Sequence, residues 1–211
     1  MAWNENHISL VGLADDEPVR SHENHGVTYY QFPLRISRLS GAEDVVNVVA
    51  AEPLLRPGLV EPGALLAVEG EVRSYNNRSG TGSKLVITVY ARTMEAGEGP
   101  HRNDLILAGV LCKPPVLRRT PLGREICDLM LAVNRRYSRA DYLPCIAWGG
   151  LADWCGQLEV GDGLTLPGRL QSREYTKEEN GRSTRRTAFE VSVMSMEPVE
   201  NGGEKAGPEV L

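Results

Sequence analysis

The chain is built of short runs in which apolar and polar residues alternate, broken by Gly, Pro and polar clusters. In residues 125–137, EICDLMLAVNRRY, the side chains of Cys127, Leu129, Leu131 and Val133 fall on one face of an extended strand. NDLILAGVL, before it, is an apolar run that stops at Pro114-Pro115, and DYLPCIAW follows it. The period then changes. In LADWCGQL, Leu151, Trp154, Cys155 and Leu158 stand at i, i+3, i+4 and i+7, which predicts a short helix. GLTLPGRLQSREY and TAFEVSVMSM are strands again, flanking Asn180-Gly181, a hairpin-turn dipeptide. The predicted order is β-β-β-α-β-β.

The same order occurs twice. Shifted by 97 places, residues 6–51 match 103–148 without gaps, with 10 identities in 46 positions. Asn6, Leu10, Gly12, Pro18, Val19, Gly26, Leu34, Arg38, Asp44 and Ala50 recur as Asn103, Leu107, Gly109, Pro115, Val116, Gly123, Leu131, Arg135, Asp141 and Ala147. Past a small insertion, Gly63, Gly70 and Ser74 align with Gly161, Gly168 and Ser172. In the first copy the strands are VTYYQFPLRIS, EDVVNVVAAE, ALLAVEGEV and KLVITVYA. Five strands with a helix after the third form the plan of an OB barrel. The expectation is an all-β chain of two tandem five-stranded OB barrels, each with a short helix after strand three. The barrels span 1–98 and 99–198, the junction falls in the Gly-rich AGEGPH stretch, and 199–211 form a tail.

Composition narrows the class. A chain of 211 residues, 41% hydrophobic and 24% charged, gives each copy enough apolar surface for its own core. No apolar run nears the roughly 20 residues that span a bilayer, so no membrane association is expected. MAWNENH has no signal-peptide pattern, so a cytoplasmic, nucleoid-associated protein is expected. Cys112, Cys127, Cys145 and Cys155 show no CxxC spacing and read as reduced thiols, not as a metal site. The net charge of −5 argues at first against a nucleic-acid partner, but its distribution is uneven. Residues 1–101 carry 8 Lys/Arg and 13 Asp/Glu, residues 102–198 carry 14 and 12, and the tail carries 1 and 3. The second copy is the one suited to a polyanion.

Its cations sit beside aromatic residues. Arg118, Arg119 and Arg124 lie on the first inter-strand loop, while Arg135, Arg136 and Arg139 bracket Tyr137. Arg169 and Arg173 precede Tyr175, and Lys177, Arg182, Arg185 and Arg186 line the hairpin at Asn180-Gly181. Every base has a π-face, so aromatic side chains hold single strands without regard to sequence, at about 1–3 kcal/mol per base. Cations meet the phosphates and release counterions. NDLILAGVL, RRTPLGRE, LAVNRRY, DYLPCIAWG and LPGRLQSREY, in that order and spacing, resemble bacterial-type single-stranded DNA-binding proteins. The resemblance covers about 95 residues of the second copy and, more weakly, most of the first. It implies stacking positions at Tyr137, Tyr142, Trp148 and Tyr175. In the first copy these become Ser40, Val45, Ala51 and Tyr75, so only Tyr75 is aromatic.

Plainer readings stand beside these. Trp148 fits core or surface equally, Trp154 reads as core, and Tyr29, Tyr30 and Phe32 read as strand packing. His22 and His25 form a polar loop rather than a metal site, and no cofactor is expected. The stretch from Ser79 to Lys84 lacks the phosphate-loop spacing. No nucleophile–base grouping suggests an enzyme. The expected function is sequence-tolerant binding of single-stranded DNA, protecting it in replication, recombination or repair. The second copy supplies the grip, and the first supports assembly. The family commonly assembles four OB domains, so the resemblance implies a homodimer. It also implies replication or repair partners, though ENGGEKAGPEVL lacks the acidic, aromatic-tipped end that recruits them in the family. The alternatives are a primosome-type accessory OB protein and an OB-fold protein-interaction module.

Overall fold

The structure, a computed structural model, describes residues 5–77, 83–135, 139–179 and 182–199. The strands of the first repeat are β1 (Asn6–Ala14), β2 (Val19–Asn24), β3 (Val27–Ser37), β4 (Glu43–Ala51), β5 (Leu65–Asn76) and β6 (Leu85–Ala96), and each but the fully exposed β2 has a buried face. β1 pairs with both β3 and β5, β3 with β4, β4 in parallel with β6, and β6 with β5. The circuit β1-β3-β4-β6-β5-β1 is closed, as the OB plan requires. Ile8, Leu10, Phe32, Leu34, Val46, Val48, Leu66, Val68 and Val89 fill it. Phe32 is therefore strand packing, as its sequence context predicts.

The second repeat repeats the circuit with β7 (Arg102–Leu111), β9 (Glu125–Arg135), β10 (Arg139–Trp148), β12 (Arg182–Val193) and β11 (Gly163–Glu179). β8 (Val116–Arg119) is a short strand laid along β9. Leu105, Leu107, Leu129, Leu131, Leu143, Leu164, Leu166 and Val191 are its buried residues. Helix α1 (Gly150–Cys155) buries Ala152 and Cys155 and leaves Trp154 half-buried. It stops before Gly156, so it is shorter than the apolar spacing through Leu158 predicts; glycine costs about 1 kcal/mol in a helix. At the matching place the first repeat has only a 3-10 turn, Glu52–Leu54. The expectation of a helix in each copy is corrected there. Pro53 starts that turn, and Pro57 cannot donate the backbone hydrogen bond that a continuing helix needs.

The strands form two compact units that do not follow the halves of the chain. One is His7–Leu105 together with Leu170–Glu190; the other is centred on Ile106–Arg169. The distal hairpin of the second repeat thus packs within the first unit. There Ser172 donates its backbone N–H to Asp44 Oδ1 at 2.9 Å, and its hydroxyl accepts the Val45 N–H at 2.9 Å. The Asn103 side chain spans the Leu170 backbone, donating to its carbonyl and accepting its N–H.

Closing a small barrel brings backbones too close for side chains. A Cβ on Gly109 would lie 2.5 Å from the Ala132 carbonyl oxygen, and one on Gly12 would lie 2.6 Å from that of Arg35. The two sites are related by the repeat spacing of 97. Gly168 crowds the Ser192 carbonyl as Gly70 crowds that of Tyr90. Gly109→Ala is expected to lower stability by about 1–3 kcal/mol, read by urea unfolding, because a backbone carbonyl cannot swing aside.

None of the four cysteines is in a disulfide, and only Cys112 is not buried. Burial, followed by the neighbouring Cys127, pushes the Cys155 thiol up from its ordinary 9.0 to about 12. Its contribution to stability is therefore complete below about pH 9 and is lost as pH rises toward 12, because the unfolded thiol ionises first. Unfolding midpoints measured from pH 8 to pH 11 should fall less steeply in Cys155→Ala than in the unsubstituted protein.

Candidate nucleic-acid interface

Alternation along β10 buries Leu143, Cys145 and Ala147 and turns Tyr142 and Trp148 outward, 50% and 41% exposed. Six residues apart on one face, the two rings are separated by roughly 20 Å of strand. Tyr142 stands opposite Ala132 of β9, and Trp148 stands opposite Ile126. Arg118 of β8 flanks Ile126 from the other side. Ile126 is 2% exposed, so Trp148 rests on a covered aliphatic base with one face toward solvent. The surface reading of Trp148 fits this geometry and the core reading does not. Tyr137 and Arg136 lie outside the described residues.

The arginines divide by what already holds them. Arg135 grips the fully buried Asp141 with two hydrogen bonds and is itself 24% exposed. This pairing leaves little of the Arg135 guanidinium available to a phosphate. The same pair recurs in the first repeat as Arg38 and Asp44, with Nε donating to Oδ2 at 2.7 Å. Arg118 pairs with Asp128, and Arg119 pairs with Glu125 at 2.7 Å. The Arg119 hydrogen bond, followed by one from Asp153, holds the Glu125 carboxyl below its usual range. Arg169 is half-buried, so it too departs from the expected surface cation. Among the described residues no carboxylate pairs with Arg124 or Arg139, which leaves these two the most available for phosphate.

The remaining candidates belong to the other unit. On β11, Tyr175 is partly exposed and the Arg173 guanidinium lies 5.8 Å from its ring centre, a cation–π contact. Arg173 also lies 4.0 Å from Glu190, and Arg185 pairs with Glu174 at 3.5 Å. Arg186 is half-buried. Lys177 and Arg182 are on β11 and β12, but their side chains lie outside the described residues. Tyr75, 53% exposed on β5, is aromatic and outward as expected, though its register differs. Gly70 and Gly168 crowd matching carbonyls, which fixes Ser74 against Ser172. Tyr75 therefore matches Arg173, two residues short of Tyr175 on the same face.

The sequence reading missed an aromatic group on the first unit. Tyr29 was placed in strand packing, yet it lies on the outer face of β3, opposite Ala51. Its hydroxyl is 3.2 Å from that of Tyr90, and His22 of β2 stacks on its ring at 4.8 Å. Cross-strand register brings these rings together, and register is not written in any one segment. Among the described residues, no group of three or more His, Cys, Asp or Glu could hold a metal ion. Nor is any helix among them long and apolar enough to cross a membrane.

Comparison with known proteins matches the second repeat to a family profile and nearly the whole chain to individual relatives. The profile of the single-strand binding protein family matches residues 102–199. The single-stranded DNA-binding protein of Thermus thermophilus is 27% identical over 98% of this chain and 90% of its own length. That of Thermus aquaticus is 31% identical over 70% of this chain, a match spanning 64% of the Thermus protein. The single-stranded DNA-binding protein 2 of Listeria monocytogenes is 32% identical over 49% of this chain and 69% of its own length. The crystal structure of the wild-type Thermus aquaticus protein superposes with a TM-score of 0.76 at 28% identity, covering 98% of both chains.

Asp141→Asn should lower stability by about 3 kcal/mol, since it strands Arg135 beside a neutral partner at a buried site. Thermal unfolding of the two proteins side by side measures this loss.

Proposed function

We propose a function from one premise: this chain belongs to the single-strand binding protein family. The proposed ligand is single-stranded DNA, held with little regard to sequence, and the protein is a binder rather than an enzyme. The observation that carries this reading is the outward pair Tyr142 and Trp148 on one face of β10, within the stretch that matches the family. Two aromatic faces roughly 20 Å apart suit unstacked bases of a flexible strand and do not suit a duplex, whose bases are already stacked. Arg124 and Arg139, which no carboxylate holds among the described residues, are the proposed phosphate ligands of this repeat, and Arg173 beside Tyr175 is a further one on the other unit. A ligand bound through backbone charge and stacking is protected wherever single strands are exposed, in replication, recombination or repair.

Each chain supplies two barrels, with the repeats bounded as 1–98 and 99–198, so a homodimer would present four. Charge supports the second repeat as the principal binding surface, with 14 Lys/Arg against 12 Asp/Glu in residues 102–198. The tail that would recruit replication or repair proteins lies outside the described residues.

The experiment is titration with oligo-dT, followed by tryptophan emission at two salt concentrations. Binding should quench emission, and affinity should fall with salt on a slope of about −0.7 per phosphate neutralised. Trp148→Ala should weaken binding by about 1–3 kcal/mol while the protein still folds. Equal affinity for a duplex of the same length would count against the reading.

A further inference from the structure

In the first repeat the family's stacking positions hold Ser40, Val45 and Ala51, and its sequence carries an acidic excess. Its sheet tells a different story. In the second repeat Trp148 of β10 stands opposite Ile126 of β9. At the matching pair in the first repeat, Ala51 of β4 stands opposite Tyr29 of β3. The large ring has changed places with the aliphatic residue across the ladder. It has moved by one strand spacing, roughly 5 Å, and remains on the outer face.

A second ring joins it. Tyr90 of β6 stands beside Val49 of β4 and opposite Glu71 of β5. The glycine register matches Tyr90 to Ser192, so this aromatic residue has no counterpart in the second repeat. Tyr29 and Tyr90 have ring centres 5.9 Å apart with a 40° tilt. His22 lies parallel to Tyr29, within 5°, on the exposed strand β2. Three rings therefore form a continuous row. Core packing does not account for it, since Phe32 and Val89 already fill the interior beneath.

Cations border the row. The Arg92 guanidinium lies 4.9 Å from the Tyr90 ring centre, and that of Arg73 lies 6.0 Å away. Both pair with the same carboxylate, Glu71, so the group is locally positive. The surrounding acidic excess is already committed in part. Asp15 and Glu43 pair with Arg35, Asp44 with Arg38, and Glu23 with Arg20. Tyr75 lies two residues beyond Arg73 on the same outward face of β5.

We propose that the His7–Leu105 unit carries its own stacking surface for unpaired nucleobases, made by His22, Tyr29 and Tyr90, with the exposed Arg92 meeting the phosphates. The inference rests on the single-stranded DNA reading above and adds a site at positions outside the family's four. Bases stack along this row of rings, which His22 extends at the β2 end. The ring faces matter and the hydroxyls do not.

The test uses the full chain and oligo-dT carrying 5-iododeoxyuridine. Irradiation of the complex should give cross-linked peptides containing Tyr29 or Tyr90, in addition to peptides containing Tyr142, Trp148 or Tyr175. In direct titration, a Tyr29→Leu and Tyr90→Leu double variant should bind about tenfold more weakly, while Tyr29→Phe with Tyr90→Phe should bind like the unsubstituted chain. Cross-links confined to residues 102–193 would overturn the proposal, and they are read on the unsubstituted protein, so a poorly folded variant does not decide the matter. Equal affinity of a folded double-leucine variant would overturn it as well. If the unsubstituted chain binds no oligo-dT at all, the single-stranded DNA reading itself is what fails.

Discussion

Each barrel depends on a place where the backbone of one strand occupies the space a neighbour's side chain would take. The carbonyl of residue 132 sits where a Cβ of Gly109 would be, and that of residue 35 does the same at Gly12. This close approach lets five short strands curve into a closed circuit with no unpaired edge. Once the circuit is closed, side-chain direction follows from strand parity. Odd residues of β10 enter the core, and Tyr142 and Trp148 are forced outward. An aromatic residue on that face is exposed because the barrel has no other place for it.

The second constraint is the buried carboxylate at the β3–β4 and β9–β10 connections. Asp44 and Asp141 are fully buried, and each is met by an arginine six residues earlier. Neutralising a buried charge in this way ties both ends of a hairpin, and the stacking positions lie within and just after it. The consequence for electrostatics is that the formal cation count overstates what can meet DNA. Arg118, Arg119 and Arg135 are held by Asp128, Glu125 and Asp141. Exposed pairs such as Arg119–Glu125 contribute little to stability and can exchange a carboxylate for a phosphate, whereas Arg135 cannot do so without stranding Asp141.

Much of the fold was legible because duplication doubles the signal. Alternation placed nine barrel strands close to their observed bounds, and the glycines marked the same crowded sites in both copies. β2 and β8 were not legible. Both are exposed along their whole length, so no inner face imposes alternation on their residues. The helix of the second repeat was predicted to end three residues too late, since spacing alone does not show that Gly156 ends it. Outward aromatic residues were legible where they coincide with a known pattern, as at Tyr142 and Trp148. Tyr29 was not, because one strand in isolation does not reveal which face holds a ring or what stands across from it. The Arg135–Asp141 pairing was not legible for a related reason: the two stand six residues apart in sequence, and the burial of that carboxylate is a property of the closed barrel.

The ties from Ser172 to Asp44 and Val45 join residues separated by 127 or more positions. A unit that begins at His7 is therefore finished by a segment ending at Glu190. On the ribosome, the strands of the first barrel emerge long before the hairpin that completes their packing. At bacterial rates of synthesis the interval is roughly 5–15 seconds. During that time Asp44 is left without its late donor from Ser172 and depends on Arg38 alone. Translation speed through the second repeat thus sets how long the first must wait incomplete. A pause placed between the two would lengthen exposure to proteases and to neighbouring nascent chains without changing a single contact in the finished protein.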